Sequence, residues 1–321
     1  MRGRSVRGLT LARKLALAIA GMAALVIPVV IGFLNAPAVR AQDDGDWQTK
    51  AGGKMAFEVA SVKLDSGPFH SPNFPLDNSD AYRPVGGRFS ADFPLQTYIS
   101  FAYKLSLSPS QREAMLAHLP HWVATDRYAI DARAAGTPGK DQMRLMMQSL
   151  LADRFKLSVH FETQTGSAYA MVLAKAGKTG PQLRPHSEGA PCGAMSTDVP
   201  PPHDGEVFPP VCDVYMLTMH PGKLAKAGSR NTTTALLASA LPGLGRFDLP
   251  VVDQTGLTGR YDFWIEFVPE RPGTPNADAP APVEGPAFLD ALREQLGLKL
   301  ESTKAPLRVL VIDKLERPTE N

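Results

Sequence analysis

The chain holds 321 residues, 44% of them hydrophobic and 21% charged, with a formal net charge of +2. Residues 1–41 carry six basic residues and no acidic one, so the remaining part, about 280 residues long, stands at −4. A mildly acidic body without a basic stripe excludes a nucleic-acid binder, and its length allows one large domain or two small ones with real cores.

Arg2, Arg4, Arg7, Arg13 and Lys14 precede an almost wholly apolar run over 15–34, and Val39, Arg40 and Ala41 form a small-residue exit. Basic, apolar and small-residue regions in that order predict a secretory signal. The apolar run is long enough to span a bilayer, so cleavage after Ala41 competes with retention of 1–41 as an N-terminal membrane anchor. Either outcome exports the rest to the periplasm or beyond, with membrane contact only through the N-terminal segment. In an oxidising compartment Cys192 and Cys212 are expected to be bridged, and closing a loop of about 20 residues contributes roughly 3 kcal/mol. Two unpaired buried thiols are the alternative.

Residues 42–54 are polar and glycine-containing, a tether. A short strand, FEVASVK, begins at Phe57; a loop rich in proline and asparagine follows, and RFSADF at 88–93 is a second strand. Asp92 is placed to cap a helix in which Leu95, Tyr98, Ile99, Ala102 and Leu105 recur at helical spacing. RYAIDAR at 127–133 is a strand with Tyr128, Ile130 and Ala132 on one face. A helix from about Lys140 to Arg154 buries Met143, Met146, Met147 and Leu150, and two strands, RFKLSVHFET and SAYAMVLAK, close the block 55–178. A proline- and glycine-rich linker with both cysteines covers 179–228.

The block 229–321 repeats the plan. Asn231 and three threonines begin a helix with Leu237 and Leu241 inward. In Pro250 to Phe267 two glycines mark a turn, and Tyr261, Phe263, Ile265 and Phe267 alternate with polar residues as a strand with one buried face. PAFLDALREQLGLKLES at 286–302 corresponds to RLMMQSLLADRFKLSVH at 144–160, and LRVLVIDK to AYAMVLAK. Two copies of a helix-strand-helix-strand-strand unit result, with helices packed on mixed or antiparallel sheets in an α+β fold. A proline/alanine insertion at 269–286 is expected to be disordered.

Candidate chemistry is sparse. Asp253 to Gly256 resembles the D-T-G of aspartic proteases and the D-K-T-G-T of transport ATPases, and fails both on detail; hydrogen bonding within its own turn explains it. His160 and Glu162 share one face of a strand and could serve as acid and base or as two metal ligands, against an ordinary exposed face. Cys192, His203, Cys212 and His220 match no zinc spacing. Helical spacing makes the methionines core rather than copper ligands. Trp122 and Trp264 are weak ligand-platform candidates. No catalytic residue, metal site or cofactor fingerprint is singled out.

The segments FEVASVK, GGRFSADFPLQTYISFAYKL, LPHWVATDRYAIDARA, LLADRFKLSVHFET, PVVDQTGLTGRYDF and EQLGLKLESTKAPLRVLVIDKLERPTEN together resemble the uncharacterised soil-associated protein family, a domain of unknown function, from about residue 55 to the C-terminus. The resemblance implies an exported domain with no catalytic residue to carry over. Some members are fused to BlaR-type sensor metallopeptidases, whose last membrane helix is similar to residues 11–37, although H-E-x-x-H is missing here. The reading is therefore a noncatalytic extracytoplasmic binding or sensing module for an unidentified small molecule or envelope protein. The alternatives are an envelope hydrolase assembled around His160 and Glu162, and a purely structural envelope protein.

Overall fold

The computed structural model describes residues 46–80, 82–188, 192, 209, 211–212, 214–220, 222–269 and 283–318. The N-terminal segment 1–41 and most of the insertion at 269–286 lie outside the described residues, as does much of the cysteine-bearing linker.

The fold is α+β, with helices on mixed and antiparallel sheets. A three-stranded antiparallel sheet places β3 (Arg127–Arg133) between β1 (Val59–Asp65) and β2 (Arg88–Pro94). Against it pack α2 (Leu95–Ala102) and α5 (Lys140–Arg154), with α3 (Pro109–Leu116) and α4 (Trp122–Thr125) on the connection between α2 and β3. Tyr98 of α2 shows how tightly: its hydroxyl accepts the Phe93 amide at 3.0 Å and donates to the Tyr128 carbonyl at 2.7 Å, joining helix to both strands. Burial raises that phenol's pKa, so it stays a neutral donor.

A four-stranded antiparallel sheet has the order β5 (Leu183–Pro185), β9 (Tyr261–Phe267), β7 (Ala225–Thr232), β6 (Met216–Thr218). The alternation expected in β9 holds, since Tyr261, Phe263, Ile265 and Phe267 are all buried. They meet α6 (Thr234–Leu244) and α7 (Phe288–Gln295) in a second core.

Between these sheets run two long strands, β4 (Ser158–Leu173) and β10 (Leu298–Lys314), paired antiparallel from Leu298 opposite Leu173 to Lys314 opposite Ser158. The short strand β8 (Val251–Asp253) runs parallel to β4 and makes this sheet mixed. Each half thus contains a helix, a strand, a helix and a long strand in that order. The closing strand pair expected in each half is instead one uninterrupted strand. Polar residues at 162–167 and 301–304 suggest turns from sequence, but β-branched Thr163, Thr165 and Thr303 suit an extended chain whose middle faces water. Pro306 is tolerated because β10 is the outer strand of its sheet.

Four local expectations change. The 42–54 tether contains a helix, α1 (Asp46–Lys50), and is held to α5, where Ser149 Oγ donates to the Met55 carbonyl at 2.5 Å. Asp92 is not a cap, because α2 starts after Pro94 without a side-chain cap and Asp92 is buried in β2. Thr233, not Asn231, caps α6; Asn231 adopts φ +53° where the pairing of β7 with β9 slips between Ser229 and Thr232, a left-handed position that asparagine tolerates. The 179–228 linker supplies β5, β6 and half of β7. Strands of three residues are too short for periodicity to reveal.

Gly180 and Gly297 meet backbone to backbone: the Gly180 amide donates to the Leu296 carbonyl at 2.8 Å, and a Cβ on Gly180 would come within 2.5 Å of the Gly297 nitrogen. Neither segment has a flexible side chain that could give way. Gly180→Ala is expected to lower stability by about 1–3 kcal/mol. Gly243, inside α6 with open space around it, is the control, and Gly243→Ala should raise stability by about 0.5–1 kcal/mol. Chemical denaturation of both variants checks the pair.

Candidate functional site

His160 and Glu162 do share a face of β4, and a third residue joins them. Pairing between β4 and β10 slips between Ile312 and Lys314. A bulge re-aims a side chain, and here it brings Asp313 to His160. The His160 Nδ1 lies 2.8 Å from Asp313 Oδ1 and its Nε2 lies 3.0 Å from Glu162 Oε1. Gln164 Nε2 donates to the other Glu162 oxygen at 3.0 Å. Hydrogen bonds that His160 donates to Asp313 and then to Glu162 raise its pKa, and those that Glu162 accepts from Gln164 and His160 lower its own. With both ring nitrogens facing carboxylates, the imidazolium is the favoured form and has no lone pair to act as a base. The triad sits on an exposed strand face, His160 being 48% exposed. It is a solvated ion cluster.

Trp122 and Trp264 are not brought together, and each is already covered. Trp122 stacks on Phe155 at 6.5 Å, with the Arg317 guanidinium 5.3 Å over its ring. Trp264 lies under Arg184 at 5.7 Å. Each ring already carries a guanidinium on one face. Cys192 and Cys212 form a disulfide. Asp253 serves its turn, accepting from the Thr255 amide and hydroxyl at 2.9 and 2.8 Å.

Two arrangements carried no signal in the spacing. His186 Nδ1 lies 2.6 Å from Asp262 Oδ1, which also accepts the Asn231 amide at 2.9 Å, while Arg230 Nε lies 3.5 Å from Oδ2. Both oxygens of that carboxylate are engaged, which makes it a strut between the 3₁₀ turn at His186–Glu188 and β9. The second is a cleft of about 550 Å³ where α1 meets the first turn of α5. Trp47, Lys50, Lys104, Lys140, Asp80 and Asp141 line it. Lys104 stands 5.8 Å over the Trp47 ring and pairs with Asp80 and, at 3.6 Å, with Asp141. Lys140 is buried, which lowers its pKa, and is held by Asp77 at 2.5 Å. Fully buried Arg144 donates to the Ser79 carbonyl at 2.7 Å and the Asp77 carbonyl at 3.0 Å, pinning the proline-rich loop that forms the rim. A single tryptophan in the polar run DDGDWQTK was the one clue to this cleft; an aromatic has little reason to stand in a tether.

Helices packed on mixed and antiparallel sheets define an α+β domain. The family described as protein of unknown function (DUF3738) matches residues 96–315, and the chain belongs to that family. The motifs at 57–95 lie ahead of the matched span. No curated protein and no solved structure matches the chain.

The raised His160 pKa has a sign that can be checked. The triad's contribution to stability is fully present between the ordinary carboxylate value of 4.5 and the ordinary histidine value of 6.5; it is lost as pH rises through the higher folded-state pKa of His160 and as pH falls through the lowered pKa of Glu162. An NMR titration of His160 should give a value above 6.5 that falls back in Asp313→Asn and again in Glu162→Gln. A value at or below that of a free histidine would show that the carboxylates do not hold the proton.

Proposed function

We propose that this chain is a noncatalytic extracytoplasmic binding module that takes a small anionic molecule in the cleft between α1 and α5. The observation that carries the reading is the composition of that cleft: three lysines against two aspartates, beside the positive end of a 15-residue helix, with one indole face as an apolar wall. A carboxylate or phosphate would face Lys50 and Lys104, with Lys140 behind them held by Asp77, and an apolar body would lie on Trp47. The locked imidazolium of His160 supports the noncatalytic half of the reading, since the residue best suited to acid–base work has both nitrogens occupied. Export is supported by the order of charge and hydropathy over 1–41 and by the Cys192–Cys212 bridge, which fits an oxidising compartment. No helix among the described residues is long and apolar enough to cross a membrane, and the apolar run 15–34 lies outside them. Descent from a BlaR-type sensor fusion that kept its anchor and lost its peptidase would place the module at the inner-membrane surface. The shared order of helices and strands in the two halves supports an internal duplication.

Screening small carboxylates and phosphates by NMR against the whole chain tests the binding reading. Hits should perturb the Trp47 indole and the amides of residues 140–144, and should weaken at least tenfold in Trp47→Ala and Lys104→Ala. Hits that gather around His160 instead, and disappear in His160→Ala, would replace this reading with the hydrolase one. Mass spectrometry of the envelope fraction checks export separately: a chain starting at Gln42, or an intact chain in the membrane, is expected, with Cys192 and Cys212 linked in either case.

A further inference from the structure

Asp65 at the end of β1, Asp92 in β2 and His70 in the loop between them each offer one ligand atom, and these three atoms lie within 4.8 Å of one another. Asp92 is only 2% exposed, and its Oδ1 is buried without a hydrogen-bond partner. Arg127 compensates part of the charge, its Nη1 lying 3.0 Å from Asp92 Oδ2 and its Nη2 3.6 Å from Asp65 Oδ2. One guanidinium faces two carboxylates, so a negative charge remains with no cation of its own. An ionised carboxylate in this position is costly, and the side chain is aimed at two other groups that coordinate metals.

From this geometry we infer a divalent-metal site, with Asp65, His70 and Asp92 as ligands and zinc as the ion of best fit. Two carboxylates and one imidazole suit zinc by ligand type, and metal–ligand bonds of about 2.0–2.2 Å place tetrahedral ligands roughly 3.3–3.6 Å apart. Exposed His70 can cover the remaining distance by a rotamer change, because its loop is not part of a sheet. Arg127 would stand outside the ligands and orient both carboxylates, as outer hydrogen-bonding groups do at metal sites. Three protein ligands leave a fourth position for water. The site would also clip the 66–87 loop to the first sheet, independently of the cleft between α1 and α5.

The test uses the full chain, stripped with chelator and titrated with Zn²⁺ alone, with binding read by calorimetry and by metal content after gel filtration. One saturable equivalent is expected, weakened at least tenfold in His70→Ala and in Asp65→Asn and within twofold of the parent in Glu162→Gln. His70 is exposed, so its variant should keep the metal-free melting temperature, and it decides the matter even if Asp65→Asn does not fold. The absence of saturable binding, binding indifferent to His70→Ala, or binding lost in Glu162→Gln instead would each overturn the site.

Discussion

The pairing of β4 with β10 is the interaction on which the rest of the molecule depends. Each strand begins in one core and ends in the other: Val159 and Phe161 of β4 pack with Leu310 and Ile312 of β10 in the first, while Met171 and Leu173 pack with Leu298 and Leu300 in the second. Neither core closes without residues from both strands. Shifting the register by one residue would turn every apolar side chain at both ends toward water at once. The ribbon therefore fixes the relation of the two helix-and-sheet layers far more rigidly than a linker could. The contacts of Ser110 with the Asp248 carbonyl, through its amide at 3.0 Å and its hydroxyl at 2.6 Å, add a small second tie.

On the first sheet, charge does what the hydrophobic pattern does elsewhere. The loop after β1 is rich in proline, asparagine and aspartate and has little apolar surface to bury, apart from Phe74 and its ring contacts with Tyr82, Phe89 and Phe101. Arg144 and Lys140 reach up from α5 to hold the loop by its carbonyls and by Asp77. Buried cations are costly unless their donors are used, so this arrangement favours one loop conformation over its neighbours more than it adds net stability. The same loop carries His70 to the sheet and forms the rim of the cleft, so one anchoring device serves both places.

The elements with a clear period were legible from the sequence. Lys140–Arg154 and Arg127–Arg133 fall at the expected boundaries, because Met143, Met147 and Leu150 mark a helical stripe and Tyr128, Ile130 and Ala132 a strand face. The Cys192–Cys212 bridge followed from pairing the two cysteines of a chain whose N-terminal pattern leads one to expect export. What could not be read was nonlocal. The fusion of two expected strands into β4 depends on β10, 140 residues further on, lying beside it. Asp313 meets His160 only through a bulge, and a bulge has no fixed residue code. Asp92 looked like a cap because it precedes a helix; its burial in β2, beside Arg127 of β3, is a property of the sheet, not of the helix. Trp47 and Lys104 are separated by enough chain that no motif could join them.

The four polar clusters differ most in what remains unsatisfied. His160 is exposed and has a carboxylate at each nitrogen, and the Asp262 carboxylate has partners on both oxygens. Closed networks of that sort hold a structure together and have nothing left to offer a ligand. The cleft beside Trp47 and the Asp92 carboxylate are less complete. In the first, Lys104 and Lys140 have their aspartates but an indole stands in an open wall beside the first turn of α5; in the second, Asp92 Oδ1 is buried without a hydrogen-bond partner and the nearby guanidinium is shared with Asp65. Recognition needs groups whose bonding is completed by the partner, because only then does binding relieve a cost the free protein already bears. By that criterion a search for ligands belongs first at the two edges of the proline-rich loop, away from the histidine on the ribbon that the sequence draws attention to first.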